Sequence, residues 1–230
     1  MRFSLVIPCF NEEKNIPLLI ERCKFIGQHD EIELVLVDNG SIDNTANVIK
    51  DFQKSLPYLK LVSVKDNLGY GYGILKGLEQ SKGEILGWTH ADMQTDPQDI
   101  LKGLELFYKD KTVNFVKGRR VKRPFKDNFF TIGMSIFESL LLLKPMYDIN
   151  AQPTMFSRDL FENWDSPPYD FSLDLYAYYM AMKKGYHIKR FKVFFNDRAF
   201  GESNWNISWQ AKWKFIMRTI RYSIKLKRSL

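Results

Sequence analysis

Asp92 and Gln94 stand two residues apart in Gly87-Trp88-Thr89-His90-Ala91-Asp92-Met93-Gln94-Thr95-Asp96-Pro97, directly after the apolar run Gly83-Glu84-Ile85-Leu86. The run reads as a buried strand and the polar residues as the loop at its carboxyl end. A carboxylate and a carboxamide both present oxygen, the donor type that suits Mg2+ or Mn2+. Strand tips are also where open α/β sheets bind their ligands. The same residues serve equally well as a strand-end turn with an Asp capping a helix before Pro97.

Such a tip needs a sheet to carry it. Apolar runs at residues 3–8, 33–38 and 59–64 read as strands, and 113–118 as another. Between them lie helical patterns: one with Ile16, Leu19, Ile20 and Cys23 on its apolar face, one capped by Asp43 and running to about Phe52, and one entered through Asn67-Leu68-Gly69-Tyr70-Gly71-Tyr72-Gly73. Strands alternating with helices predict βαβ units and a mostly parallel sheet. Right-handed crossovers then bring Asp38, Asn67 and Asp92 to one edge. The glycine-rich loop is either a phosphate cradle or a tight turn needing positive φ. It lacks the Gly-Lys-Ser/Thr of a Walker loop, and it follows the third strand rather than the first, unlike a dinucleotide fingerprint.

Composition narrows the class. Apolar and charged fractions are those of an ordinary globular protein. Met1 leads straight into a strand, so no signal peptide is expected, and the apolar stretch 129–143 is interrupted by Glu138 and too short to span a bilayer. Cys9 and Cys23 lack metal or redox spacing and are expected to be buried thiols. The segment after Glu202 carries seven of the 34 Lys and Arg and none of the 27 Asp and Glu, so the formal +7 belongs to it alone.

Four motifs together carry a resemblance: Val6-Ile7-Pro8-Cys9-Phe10-Asn11-Glu12, Val35-Leu36-Val37-Asp38-Asn39-Gly40-Ser41-Ile42-Asp43, Asn67-Leu68-Gly69-Tyr70-Gly71 and His90-Ala91-Asp92-Met93-Gln94. In this order and spacing they resemble family 2 glycosyltransferases, most of all the dolichyl-phosphate mannose synthase and polyprenyl-phosphate glycosyltransferase branch. The resemblance continues through Gly118-Arg119, residues 148–158 and Asp197-Arg198-Ala199-Phe200-Gly201-Glu202-Ser203. It implies a GT-A fold over residues 1–205, a UDP-, GDP- or dTDP-sugar donor, inversion at the anomeric carbon and a divalent cation. It further implies that Pro8, Asn11, Glu12, Asp38, Asn67 and Gly69 line the nucleoside pocket, with His90, Ala91 and Asp92 continuing it. Asp92 matches the last Asp of the family's Asp-X-Asp motif and Gln94 a Gln that reaches the metal. His90 departs from the usual Asp; a neutral imidazole can ligate Mn2+ but matches Mg2+ poorly. Its other role is a hydrogen bond to the donor.

The resemblance also supplies an acceptor side. Arg119, in the cluster with Arg120, Lys122 and Arg123, is expected to bind phosphate beyond a strand end. Gln152 is expected to meet an acceptor hydroxyl or to stabilise a turn. Asp174, near the start of a helix over 172–184, matches an acidic residue facing the reaction centre and otherwise serves the helix dipole. Arg198 is expected to bind diphosphate or acceptor phosphate after a strand over 192–196. Residues 128–143 read as an amphipathic or buried helix; the resemblance implies a place near the lipid side, while the sequence alone favours a core helix. From Ile207 onward, Trp209, Trp213, Ile216, Ile220 and Ile224 share one helical side while Lys214, Arg218, Arg221, Lys225 and Arg228 fall on the other. This basic amphipathic helix, residues 206–230, is expected at an anionic membrane surface or docked on its own core. No nucleic-acid-binding fold accompanies the basic residues.

The favoured reading is a hexosyl transferase acting from a nucleotide sugar onto a polyprenyl phosphate, cytoplasmic and peripheral on the inner face of the membrane. A phosphate acceptor needs cations to place it, the role expected of Arg119 and Arg198, and no base. A saccharide hydroxyl acceptor would instead use Asp174 as its base. A sugar nucleotidyltransferase would carry a Gly-rich basic loop after the first strand, where this chain has Pro8-Cys9-Phe10-Asn11-Glu12; a non-catalytic nucleotide-sugar sensor would not need Asp92, Gln94, Asp174 and Arg198 together.

Overall fold

The computed structural model describes residues 2–122, 125–196 and 209–228. Seven strands, β1 (Phe3–Cys9), β2 (Ile32–Asn39), β3 (Leu59–Val64), β4 (Ile85–Trp88), β5 (Val113–Val121), β6 (Thr154–Ser157) and β7 (His187–Phe194), form one sheet in the order β3-β2-β1-β4-β6-β5-β7. Every pairing is parallel except the two made by β6, which runs against β4 and β5. The expected mostly parallel α/β sheet is therefore present. The carboxyl ends of β1, β2, β3, β4, β5 and β7 share one edge, and β6 begins at that same edge.

The helices are α1 (Ile16–Cys23), α2 (Thr45–Gln53), α3 (Tyr70–Glu79), α4 (Asp99–Lys109), α5 (Phe125–Leu142), α6 (Arg158–Glu162), α7 (Leu173–Lys183) and α8 (Trp209–Arg228). They cover the sheet on both faces. On one, Leu5, Ile7, Leu34 and Leu36 pack with Ile16, Leu19, Ile49 and Leu104. On the other, Val6, Val35, Val37 and Trp88 pack with Ile74, Leu78, Tyr176 and Tyr179. The alternation along β1 and β2 divides their side chains between the two layers. Cys9 and Cys23 are buried free thiols, as expected.

Three elements differ from the sequence expectation. β6 was not foreseen. β7 begins at His187, not Lys192, because the basic residues Lys189 and Arg190 lie within the strand: Arg190 donates to the carbonyls of Gly118 and Asp148. α5 is not a core helix all round. Phe129, Ile132, Ile136 and Leu140, with Leu143 just beyond, are exposed on one face, Phe129 by 73% and Leu140 by 71%.

α8 docks on this body, but through a rotated face. Tyr222 and Leu226 join the core layer of α3 and α7, and Ser223 meets the fully buried Glu138 of α5 at 2.7 Å. Trp213 is 65% exposed and Ile224 38%. Of the apolar side read from sequence, Ile216 and Ile220 are half-buried and Trp213 and Ile224 outward, while the contact of Ser223 with Glu138 lies on the inward side. The boundary placed between residues 205 and 206 lies outside the described residues. No helix among the described residues is long and apolar enough to cross a membrane.

Candidate active site

The loop after β4 is closed at its base by the Thr89 and Thr95 hydroxyls, 2.9 Å apart. Inside it Met93 is held at φ 64°, a conformation that non-glycine residues adopt at a cost. Asp92 is nearly buried and its Oδ1 accepts the Gln94 N–H at 3.1 Å. The Gln94 side-chain amide donates to the Asn196 carbonyl, and the Asn196 N–H donates to the Gln94 carbonyl. The end of β7 is thereby tied to the Asp92 loop. Arg198, two residues further on, lies outside the described residues.

The first two loops of the sheet interlock beside it. Asn11, at φ 56°, donates its N–H to Ser41 Oγ, and its Oδ1 accepts from the Ile42 N–H. The Glu12 N–H donates to Thr45 Oγ1. Asp38, aligned with Cys9 in the register of β1 and β2, accepts from the Ser41 N–H. Pro8, Asn11, Glu12 and Asp38 therefore lie along one edge, as expected.

Asn67 Oδ1 accepts from the Gly69 N–H at 2.9 Å, and Gly69 sits at φ 125°. The glycines have a reason that sequence could not supply. A Cβ on Gly69 would lie 2.3 Å from the Tyr169 carbonyl oxygen and one on Gly71 2.5 Å from that of Pro168. The Tyr72 N–H also donates to the Tyr169 carbonyl at 3.0 Å. The glycine-rich stretch is where the strap of residues 168–171 before α7 presses against the start of α3, together with a positive-φ turn.

On the far side of Asp92 a buried polar cluster closes the site. Asp174 Oδ1 accepts from Gln152 Nε2 at 2.6 Å and from Trp88 Nε1 at 3.2 Å, with Lys117 Nζ at 3.6 Å. Lys117, fully buried, donates to Thr154 Oγ1 at 2.6 Å. Burial pulls its ammonium down to about 8 while the charge of Asp174 holds it up. Burial, with Asp174 and then Asp92 nearby, pushes the Tyr70 phenol well above its ordinary range. Tyr70 stacks on His90 with ring centres 5.2 Å apart. Gln152 Oε1 is buried with no hydrogen-bond partner among the described residues. Lys117, Trp88, Thr154 and Tyr70 were missed from sequence; a lysine inside an apolar strand is the one signal that asks for a buried carboxylate.

Arg119 is exposed on β5 at the same edge, aligned with Lys192 of β7. Its neighbour Arg120 is a structural residue. Burial works against the ionised form of Asp148, yet the charge and hydrogen bonds of Arg120 hold that carboxyl below its ordinary range. Of the predicted residues, the edge brings Asp38, Asn67, Ala91, Asp92, Gln94, Gln152, Asp174 and Arg119 onto one rim.

Among the described residues no three His, Cys, Asp or Glu side chains group to hold a metal ion by themselves. Asp92, with Gln94 and His90 beside it, offers an incomplete oxygen and nitrogen set. That set fits an ion whose remaining positions are filled by phosphate oxygens of a substrate, the usual arrangement for Mg2+ at phosphate-handling sites.

Comparison with known proteins agrees with this geometry. The model of "Glycosyl transferase family 2" matches residues 4–164. The undecaprenyl-phosphate 4-deoxy-4-formamido-L-arabinose transferase of Photorhabdus laumondii is 36% identical over 105 residues, 43% of this chain and 31% of that protein. The dolichyl-phosphate beta-glucosyltransferase of Dictyostelium discoideum is 25% identical over 176 residues, 68% of this chain and 54% of that protein. The matched part thus spans about a third to a half of these relatives. The glucosyl-3-phosphoglycerate synthase of Mycobacterium tuberculosis, solved with Mn2+, uridine diphosphate and glucosyl-3-phosphoglycerate, superposes with a TM-score of 0.75 at 15% identity, covering 98% of this chain and 79% of that one.

Proposed function

The chain belongs to glycosyl transferase family 2, and from that premise we propose that it transfers a hexose-type sugar, with inversion, from a nucleotide sugar to a polyprenyl phosphate. The rim from Asp38 to Asn67 takes the nucleoside, with Pro8, Asn11, Glu12 and Gly69 shaping its floor. The loop from His90 to Gln94 takes the diphosphate. Asp92 and Gln94 would hold a divalent cation, which when bound would supply charge neutralisation for the diphosphate.

The acceptor phosphate comes from the β5 side, where Arg119 pairs with it; Arg198, outside the described residues, is a second cation for it. One of its oxygens forms a bond to the anomeric carbon as the bond from that carbon to the diphosphate oxygen breaks on the opposite face. The electron pair leaves with the nucleoside diphosphate, and no proton has to be removed. Gln152, with its free Oε1, orients the transferring sugar, and Asp174 fixes Gln152 through its Nε2. Asp174, whose Oδ1 receives two hydrogen bonds beside the Lys117 ammonium, acts in this reading as a positioning residue.

The observation that carries the choice of a lipid acceptor is the exposed stripe of α5. Phe129, Ile132, Ile136 and Leu140 recur at helical spacing on the helix that follows the tip of β5, with Leu143 exposed just beyond its end. An apolar face of that size beside a phosphate-binding edge suits a bilayer surface from which a lipid phosphate is presented. Matches to relatives named for undecaprenyl and dolichyl phosphate support the same reading. The test is transfer of labelled sugar from UDP-, GDP- and dTDP-sugars to polyprenyl phosphate in vesicles, with Mn2+ or Mg2+. Transfer to soluble saccharides but to no polyprenyl phosphate would overturn it.

A further inference from the structure

A file of stacked groups runs from helix α8 to the loop that carries Asp92. The Arg218 guanidinium lies over the Phe171 ring, 5.7 Å from its centre, and Arg218 Nε is 3.3 Å from Asp170 Oδ2. Phe171 stacks on Tyr70 at 4.5 Å with the planes 9° apart. Tyr70 stacks on His90 at 5.2 Å with the planes 27° apart. Four separate parts of the chain meet in this file: α8, the strap before α7, the first residue of α3 and the loop after β4.

The joints of the file are stiff. The strap cannot slide over α3, because Gly69 and Gly71 sit too close to its carbonyls for a Cβ and the Tyr72 N–H is bonded to Tyr169. Asp170 Oδ1 accepts from the Ser172 N–H, which fixes the turn into α7. Close-packed contacts pass a displacement on rather than absorb it. A change in the seat of Arg218 therefore reaches Phe171, then Tyr70, then His90. Stacked rings and a cation over a ring each hold their partners in a preferred offset.

We propose that Tyr70 and Phe171 are positioning residues for the donor loop, and that the seating of α8 through Arg218 sets the affinity of that loop for a nucleoside diphosphate. This rests on the reading that residues 89–95 hold the diphosphate and its ion. By linkage the effect is reciprocal: whatever pins α8 tightens diphosphate binding, and diphosphate pins α8.

The test is calorimetric titration of the full chain with UDP and with GDP, each with Mn2+. Phe171→Leu, which keeps apolar volume but loses the ring, and Arg218→Gln should each weaken binding about five-fold. The double variant should be no weaker than the weaker single, because both break one file. Phe171→Tyr keeps the ring and should bind as the native chain does, as should Lys227→Gln, which removes a charge from α8 away from the file. Unchanged binding by Arg218→Gln, or a double variant whose loss is the product of the singles, would overturn the proposal. Asp92→Asn separates the two levels. If its Mn2+-dependent binding survives, the reading of the loop fails and the proposal with it. If it loses binding while Arg218→Gln does not, the loop reading stands and the coupling alone is wrong.

Discussion

Replacing Glu138 by glutamine should remove a loss of stability that the native chain suffers between pH 4.5 and about 7. Glu138 is fully buried where α5 meets α8, its Oε2 has no partner among the described residues, and burial raises its carboxyl from 4.5 to about 7, with the Ser223 hydroxyl opposing. The Ser223 hydroxyl lies 2.7 Å from Glu138 Oε1 and 2.9 Å from the Thr219 carbonyl, and its one proton serves one acceptor at a time. A protonated Glu138 completes the set by donating to Ser223 while Ser223 donates to Thr219. An ionised Glu138 leaves one acceptor short. Because the folded value lies above the unfolded one, the neutral form's contribution is whole below pH 4.5 and is lost as pH rises to about 7. The full span is about 3 kcal/mol, of which about 2 kcal/mol falls between pH 5 and 7.5. Urea unfolding of the native chain and of Glu138→Gln at those two pH values reads this directly, since the variant lacks the titrating group. If both lose stability equally across the interval, water reaches Glu138 and the packing of α8 on α5 is not as described.

His90→Asp should shift the metal preference of turnover from Mn2+ toward Mg2+, since a carboxylate replaces an imidazole; an unchanged ratio of the two activities means His90 does not ligate. Lys117→Met should destabilise the chain by about 3–5 kcal/mol in urea unfolding, because it leaves Asp174 buried without its countercharge. Adding Asp174→Asn to it should recover part of that loss, and a double variant less stable than Lys117→Met would refute the pairing. A chain ending before residue 206 should lose binding to anionic vesicles at low salt, which co-sedimentation measures, while α5 retains apolar surface. Equal binding by both chains, or indifference to salt, would leave α8 as an ordinary packed helix.

Much of the frame was legible because the apolar runs 3–8, 33–38, 59–64 and 83–86 are separated by helical patterns of period 3.6. What stayed hidden has local causes. β6 is only Thr154–Ser157 and follows Pro153, too short to show alternation. The first half of β7, before Lys192, stayed hidden because His187, Lys189 and Arg190 break its apolar character, yet Arg190 spends its charge on backbone carbonyls. The docking of α8 through Tyr222, Ser223 and Leu226 was not legible because amphipathic period counts Ser223 as polar, whereas a buried carboxylate on another helix makes that serine a contact point. The glycines at 69 and 71 carried no sign of the strap that they accommodate, since it arrives a hundred residues later.

The antiparallel entry of β6 explains why the acid of the site is held rather than free. Thr154 is aligned with Trp88 of β4 on one side and with Lys117 of β5 on the other. Aligned residues of neighbouring strands share a face, so Trp88, Thr154 and Lys117 form a row under the first turn of α7. Two of the three are donors, and a buried ammonium needs a carboxylate within reach. Asp174, on that first turn and favoured there by the helix dipole, supplies it. Because β6 starts at the functional edge, Gln152 stands directly before the row and takes its place on the same carboxylate oxygen. A carboxylate that holds Trp88, Gln152 and Lys117 together is suited to fixing groups in place. Rigid positioning around Asp174 and the exposed cation Arg119 at the edge fit the proposed acceptor, a phosphate that arrives already ionised and needs no base.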